Sequence, residues 1–141
     1  MPQKRWLAIL LLLGGLTAGC DGLSFIINPT TVRISLVNTT GFAVEGSIRI
    51  SDVQEIPRAL LEEIGDEIEF NVPDGQVVTL VEKCDDLQAM VVEQANMVGT
   101  IGPDADTDVL RDGDDFGCGD RIILTFTQSI LIDFDITVRV E

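Results

Sequence analysis

The clearest structural signal in the sequence is its C-terminal segment, Ile130-Leu-Ile-Asp-Phe-Asp-Ile-Thr-Val-Arg-Val140. Apolar side chains occupy every second position, and Asp133, Asp135, Thr137 and Arg139 stand among the residues between them. Successive side chains of a β-strand point to opposite faces of the sheet. This period of two therefore predicts a strand with one face in the core and the other in solvent.

The same alternation recurs along the chain and is interrupted once. It predicts strands over residues 32–36, 42–51, 68–72, 76–84, 88–98 and 121–127. The first two flank a glycine turn, Asn38-Thr-Thr-Gly41, which favours an antiparallel hairpin with one buried face. Residues 55–64 have helical spacing instead, with Pro57 in the first turn and Gly65 as the stop. One face of this helix carries the apolar residues Ile56, Leu60, Leu61 and Ile64.

About seven strands in roughly 110 residues predict an all-β fold with one short helix, an antiparallel β-sandwich. The chain resembles immunoglobulin-like sandwiches in size and strand count, without their Cys…Trp…Cys pattern. We predict three parts: a signal peptide over 1–19, a lipidated cysteine and tether over 20–30, and a single sandwich domain over 31–141. Within the domain, residues 99–120 are expected to form a long polar loop.

Composition excludes much catalytic chemistry. The 141 residues include 9 basic and 24 acidic side chains but no histidine or tyrosine. Without histidine there is no Ser-His-Asp or Cys-His catalysis and no imidazole metal site. Because no nucleophile–base pair can be named, we predict that the protein is not an enzyme. A carboxylate-based hydrolase is a third hypothesis, carried only by the abundance of acids.

The N-terminus has the features of an export signal. Lys4 and Arg5 precede an uncharged run over 6–20, which is shorter than the roughly 20 residues of a membrane span. The run ends in Leu16-Thr-Ala-Gly-Cys20, which resembles the lipobox of bacterial lipoproteins. That resemblance implies cleavage before Cys20, lipidation of Cys20 by chains such as palmitate, and anchoring of the domain to an envelope membrane. An ordinary cleaved signal and a retained anchor are the alternatives.

Removal of the signal makes the chain strongly acidic. All 24 acids lie beyond Cys20, where only seven basic residues remain, for a side-chain charge of −17. Such a charge repels nucleic acid and anionic headgroups, so we expect the domain to stand off the membrane. Divalent cations or basic proteins are the favoured partners, and a merely solvated surface is the alternative.

Two cysteines remain in the domain if Cys20 is lipidated. In an exported protein, Cys84 and Cys118 predict one disulfide, with two free thiols as the alternative. The closed loop would hold about 35 residues and stabilise the fold by about 3.8 kcal/mol in the chain-entropy model.

An acidic stretch within the predicted loop suggests a cation site. Asp104, Asp106, Asp108, Asp112 and Asp115 fall at positions 1, 3, 5, 9 and 12 of a loop. This spacing resembles the calcium loops of EF-hand and thrombospondin type 3 repeats, although Val109 stands where those loops have glycine. The alternative is an acidic surface loop pinned by Cys118. A second acidic cluster is interpreted as a solvated face: Glu62, Glu63, Asp66, Glu67 and Glu69.

Together these features predict a membrane-anchored, exported lipoprotein with a non-catalytic β-sandwich binding or structural module in the cell envelope. The alternative is a calcium-binding, adhesion-type module that uses residues 104–115. The expected partners are the membrane through the lipid anchor and a protein or divalent cation, with no nucleic acid. No cofactor is expected unless calcium binds.

Overall fold

The computed structural model describes residues 29–129 and 133–141. The predicted signal peptide, Cys20 and most of the tether lie outside these residues. Residues 130–132 of the C-terminal alternating segment lie outside them as well. The elements are β1 (Thr31–Asn38), β2 (Val44–Ser51), α1 (Arg58–Ile64), β3 (Asp66–Val72), β4 (Val77–Lys83), β5 (Ala89–Met97), β6 (Leu110–Arg111), β7 (Arg121–Ser129) and β8 (Asp133–Val140). In the described part of the chain, no helix is long and apolar enough to span a bilayer.

The strands form two four-stranded sheets that pack face to face. Sheet A has the order β4–β1–β7–β8, and sheet B has the order β3–β2–β5–β6. Neighbouring strands are antiparallel except β1 and β7, which run parallel. The predicted all-β sandwich with one short helix is therefore confirmed. The described residues contain eight strands where about seven were expected, because the two-residue β6 lies inside the predicted polar loop.

The predicted hairpin between the first two strands is wrong, because β1 and β2 lie in different sheets. The chain crosses between the sheets through residues 39–43, and the buried side chain of Asn38 closes this corner. Its Nδ2 donates to the carbonyl oxygens of Phe42 and Val72, at 2.7 and 2.8 Å. Alternation along a strand specifies which face is buried, but it does not specify which strand is the neighbour.

The core lies between the two sheets and is filled by alternate side chains. Phe126 of β7 is fully buried and stacks on Phe70 of β3 and Phe134 of β8, with ring centroids 5.6 and 6.2 Å apart. Ile136 of β8 is buried as well, whereas Asp133, Asp135, Thr137 and Arg139 are all exposed. The alternation predicted for this strand is confirmed over residues 133–137.

Helix α1 covers part of the outer face of sheet B. Leu61 and the preceding Ile56 pack against Ala89 and Val91 of β5, so this part of β5 is buried on both faces. Of the four apolar residues that helical spacing places on one face, Ile56 and Leu61 are buried, whereas Leu60 and Ile64 are exposed. The helix has seven residues, barely two turns, and Leu61 is its buried side chain.

Candidate functional site

One end of the sandwich receives the chain from the N-terminus. At this entry end, which contains the start of β1, the Cys84 N–H donates to the Thr30 carbonyl oxygen at 2.9 Å. On the other side of β1, the Gly119 N–H donates to the Thr31 carbonyl oxygen at 3.1 Å. The segment that leads back to Cys20 thus enters the fold as an inner strand of sheet A, held from both sides.

A disulfide lies at the same end. It joins Cys84, directly after β4, to Cys118, in the loop before β7, with 5.4 Å between the Cα atoms. Since β4 and β7 are the two neighbours of β1, the bridge holds both of them around the first residues of that strand. The predicted Cys84–Cys118 pairing is confirmed. Gly119 has φ +98°, and a Cβ there would lie 2.6 Å from the Pro29 ring, so the loop approaches the incoming chain because residue 119 is glycine.

The acidic segment is not the polar loop that the sequence predicted. Ala105 pairs with Ala95 of β5 through two backbone hydrogen bonds of 2.9 Å. The buried Thr107 accepts the Val92 N–H on its Oγ1 at 3.0 Å. The segment therefore runs along the edge of sheet B and continues into β6. Its inward positions hold small residues, because the sheet lies directly beneath them.

This extended path separates the five aspartates of the predicted calcium site. Three of the carboxylates bond to three different residues, Asp104 to Gln94, Asp106 to Arg58 and Asp115 to the Arg111 N–H. Asp112 accepts from Gln54 through its backbone carbonyl oxygen. A calcium loop needs a tightly wound backbone that turns successive carboxylates inward. Among residues 29–129 and 133–141, no group of three or more carboxylates or thiols is placed to hold a metal ion. Calcium binding stays a prediction, and it requires the segment to leave the sheet edge.

Two arginines that sequence reasoning missed hold this segment against the helix. Arg58 forms ion pairs with Glu62 at 2.6 Å and with Asp106 at 2.8 Å, and Nη1 donates to the Thr107 carbonyl oxygen. The hydrogen bond to Glu62, together with the charges of both carboxylates, raises the pKa of the Arg58 guanidinium. Arg111 donates to the carbonyl oxygen of Ile56 at 3.0 Å. The spacing of Arg58 and Glu62, four residues apart on a helix, indicates the first of these pairs in the sequence.

The second acidic cluster borders an open cleft on the outer face of sheet B. Arg49 bonds to Glu93 at 2.8 Å and to Glu67, which lines the cleft, at 3.4 Å. These contacts, the Glu93 hydrogen bond foremost, raise the pKa of Arg49. Polar side chains of three strands line the cleft: Glu45, Ser47, Glu67, Glu69, Asn71, Gln94 and Asn96. Such carboxylate and amide oxygens favour a cationic or hydrogen-bonding partner.

The comparisons with known proteins show the fold. No family model matches the chain, and no curated protein matches it. An NMR structure of a protein from Eubacterium rectale is similar with a TM-score of 0.51 at 12% identity, covering 77% of this chain and 88% of that one. Its likeness agrees with the sandwich described above.

Two further solved structures are similar over most of their length. The type VI secretion system lipoprotein TssJ1 from Pseudomonas aeruginosa has a TM-score of 0.48 at 12% identity, covering 81% of this chain and 98% of that one. Lip from Serratia marcescens, a membrane-bound component of a type VI secretion system, has a TM-score of 0.46 at 9% identity, covering 79% and 97%.

Proposed function

We propose that this chain is an exported bacterial lipoprotein whose β-sandwich is a non-catalytic binding or structural module in the cell envelope. The observation that carries the proposal is the position of Cys20 relative to the fold. Leu16-Thr-Ala-Gly-Cys20 stands only eleven residues before Thr31, where β1 begins. A lipid on Cys20 would therefore hold the entry end of the sandwich close to the membrane.

The construction of the entry end supports this reading. β1 pairs along its length with β4 on one side and β7 on the other. A force applied through an anchor would act on an inner strand, and the hydrogen bonds to both neighbouring strands would have to break before β1 is displaced. An edge strand would be held by one set of hydrogen bonds only. The Cys84–Cys118 bridge links the two flanking strands at the same end. Disulfides persist in oxidising compartments outside the cytoplasm, which agrees with export.

The acidic surface supports a binding role over interaction with nucleic acid. The chain beyond Cys20 carries a side-chain charge of −17, which repels phosphate backbones. The open cleft on sheet B offers carboxylate and amide oxygens to a partner protein with basic or hydrogen-bonding groups. The adhesion-type calcium module remains the alternative, with its separate test given in the Discussion.

Metabolic labelling with a palmitate analogue in cells that express the full chain tests the anchor. We expect label on the wild-type protein and none on Cys20→Ser. The matched control is the Cys84→Ser/Cys118→Ser variant, which removes the other two cysteines and is expected to keep the label. An unlabelled wild-type protein, or label that survives Cys20→Ser, would contradict the proposal.

A further inference from the structure

The outer face of sheet A, which is turned away from sheet B, carries a row of basic side chains at the entry end. Each strand contributes one residue: Lys83 of β4, Arg33 of β1, Arg121 of β7 and Arg139 of β8. All four are exposed. They are four of the seven basic residues beyond Cys20, and we call them the basic row.

The strand register makes the row continuous. Arg33 stands directly opposite Arg121 in the parallel β1–β7 pair. Lys83 is opposite Thr31, the outward neighbour of Arg33 along β1, and Arg139 is opposite Ile123, the outward neighbour of Arg121 along β7. Opposite residues lie about 5 Å apart and diagonal ones about 7–8 Å apart. Four basic side chains therefore cross the width of the sheet, and the acidic Glu141 stands opposite Arg121 on the β8 side.

The chain does not neutralise this row as it neutralises other arginines. Arg49 and Arg58 each form ion pairs with two carboxylates. Within residues 29–129 and 133–141, only Arg139 of the basic row has an ion pair, with Glu141. Like charges placed opposite each other in a sheet destabilise it. Such a row, in a chain with 24 acidic residues, indicates an anion supplied from outside the chain.

The location of the row specifies the source of that anion. The four residues lie at the start of β1 and β7 and near the end of β4 and β8, which is where the chain from Cys20 enters. The residues between Cys20 and Thr31 span at most about 36–40 Å when extended. Toward the opposite end of the same face, four uncharged residues stand opposite one another across the sheet: Val77, Val37, Thr125 and Thr137. The next outward residue of β8 in that direction is the acidic Asp135. This end of the face therefore carries four basic side chains against one acid, Glu141, and it is the end where the chain from Cys20 enters.

We infer that the basic row docks on anionic phospholipid headgroups and lays the entry end of sheet A against the membrane. The inference rests on the proposed function, because the lipid on Cys20 is what brings the row to that surface. It replaces the expectation that a charge of −17 keeps the domain off the membrane. The Debye length is about 8 Å at physiological salt, so the charges facing the lipid outweigh acids on the far side of the domain.

Lys83 provides the readout, since it is the sole lysine beyond Cys20. The lipidated protein is reconstituted into vesicles of phosphatidylcholine alone or mixed with phosphatidylglycerol. Acylation of the Lys83 amine by an uncharged succinimidyl ester is then followed by mass spectrometry. Each basic residue at an anionic surface contributes about a fivefold change in the docking equilibrium. Because Glu141 and the other acids of the domain oppose docking, we expect the net effect to be smaller than that of four basic residues, with acylation about tenfold slower on the anionic vesicles. High salt should abolish the difference.

Two exposed substitutions separate docking from a general effect of the charged surface on the reagent or on local pH. Arg33→Glu should bring the rate on anionic vesicles to within about twofold of that on neutral vesicles. Asp135→Asn, at the opposite end of the same face, should leave the slowing intact. Equal rates for the wild type on both vesicles, or the same slowing in Arg33→Glu, would overturn the inference and favour an acidic protein as the occupant. Those results leave the anchor standing, whereas protein that floats with neither vesicle refutes the proposed function and the inference with it.

Discussion

Replacing Asn38 with aspartate is the sharpest test of the corner that separates the first two strands into different sheets. Asn38 is 1% exposed. Its amide nitrogen donates to Phe42 and Val72, and its oxygen accepts from the Thr40 N–H at 3.0 Å and the Thr40 hydroxyl at 2.9 Å. An aspartate keeps both accepted bonds, loses both donated ones, and places a carboxylate against two carbonyl oxygens.

The cost follows from these contacts. A buried charge left without a partner costs about 3–5 kcal/mol in comparable cases, a figure that includes the hydrogen bonds lost with the partner. We therefore expect Asn38→Asp to lower the free energy of unfolding at pH 7 by about 3–5 kcal/mol, which corresponds to about 12–20 °C in Tm for a domain of this size. Burial and the two carbonyl oxygens should raise the pKa of the introduced carboxyl. The native variant then binds more protons than the unfolded chain, so the loss should shrink as the pH falls toward 4.

Thermal unfolding followed by circular dichroism on residues 21–141 measures both effects. Asn71→Asp is the matched control, because Asn71 lies exposed on β3 and the substitution adds the same charge. Because Asn71 stands opposite Glu45 in the β2–β3 pair, the Tm of this control should fall by no more than about 4 °C, the cost of one exposed like-charge pair. If Asn38→Asp melts as high as Asn71→Asp at pH 7, or loses equal stability at both pH values, the corner does not depend on this amide.

Three further predictions concern the disulfide, a single carboxyl and the acidic segment. The Cys84→Ala/Cys118→Ala variant should lose about 3.8 kcal/mol, seen as a Tm about 15 °C lower, and a loss below about 4 °C would show that the bridge does not restrict the unfolded chain as assumed. Desolvation and the charge of Asp86 raise the pKa of Glu82, so its ionised form is disfavoured in the fold. Glu82→Gln should therefore have a higher Tm than the parent at pH 7. At about pH 4 the two Tm values should be equal, because below that pH the Glu82 carboxyl of the parent is protonated in both the folded and the unfolded state. An equal gain in Tm at both pH values would contradict this. If residues 104–115 bind calcium, the Tm in calcium at a tenfold excess over Kd should be about 5 °C higher than in chelator. Magnesium should not produce this rise, and Asp106→Ala should abolish it. Equal Tm values in calcium, magnesium and chelator would refute the calcium prediction.

The fold class was predictable because alternation reports burial directly. In β7 and β8, each apolar residue of the pattern from Ile122 to Ile136 within the described part is buried between the sheets, except Ile123, which lies on the outer face. Strand pairing was not predictable by the same reasoning. A parallel pair between β1 and β7 joins residues about 90 positions apart, as Arg33 and Arg121 show, and no local pattern encodes such a partner.

The candidate sites were predicted unevenly for a related reason. Cys84 and Cys118 could be paired from the compartment and the cysteine count alone. The spacing of the aspartates in residues 104–115 indicated a wound loop, but small residues at Ala105 and Thr107 let the same segment lie flat along β5. Spacing in sequence becomes spacing in space only when the backbone conformation is known, and here tertiary pairing determined that conformation.

The basic row shows the same principle acting on electrostatics. Its members stand at positions 33, 83, 121 and 139, each isolated within its own strand, so the sequence presents them as scattered exceptions in an acidic chain. Only the register of sheet A brings them together, and the proposed lipid on Cys20 would orient them toward the membrane. The net charge of the domain does not predict which surface approaches the membrane, because salt screens the interaction of each exposed charge beyond about one Debye length. A domain of −17 can repel the membrane with most of its surface and still dock on it with the one end that its tether holds there.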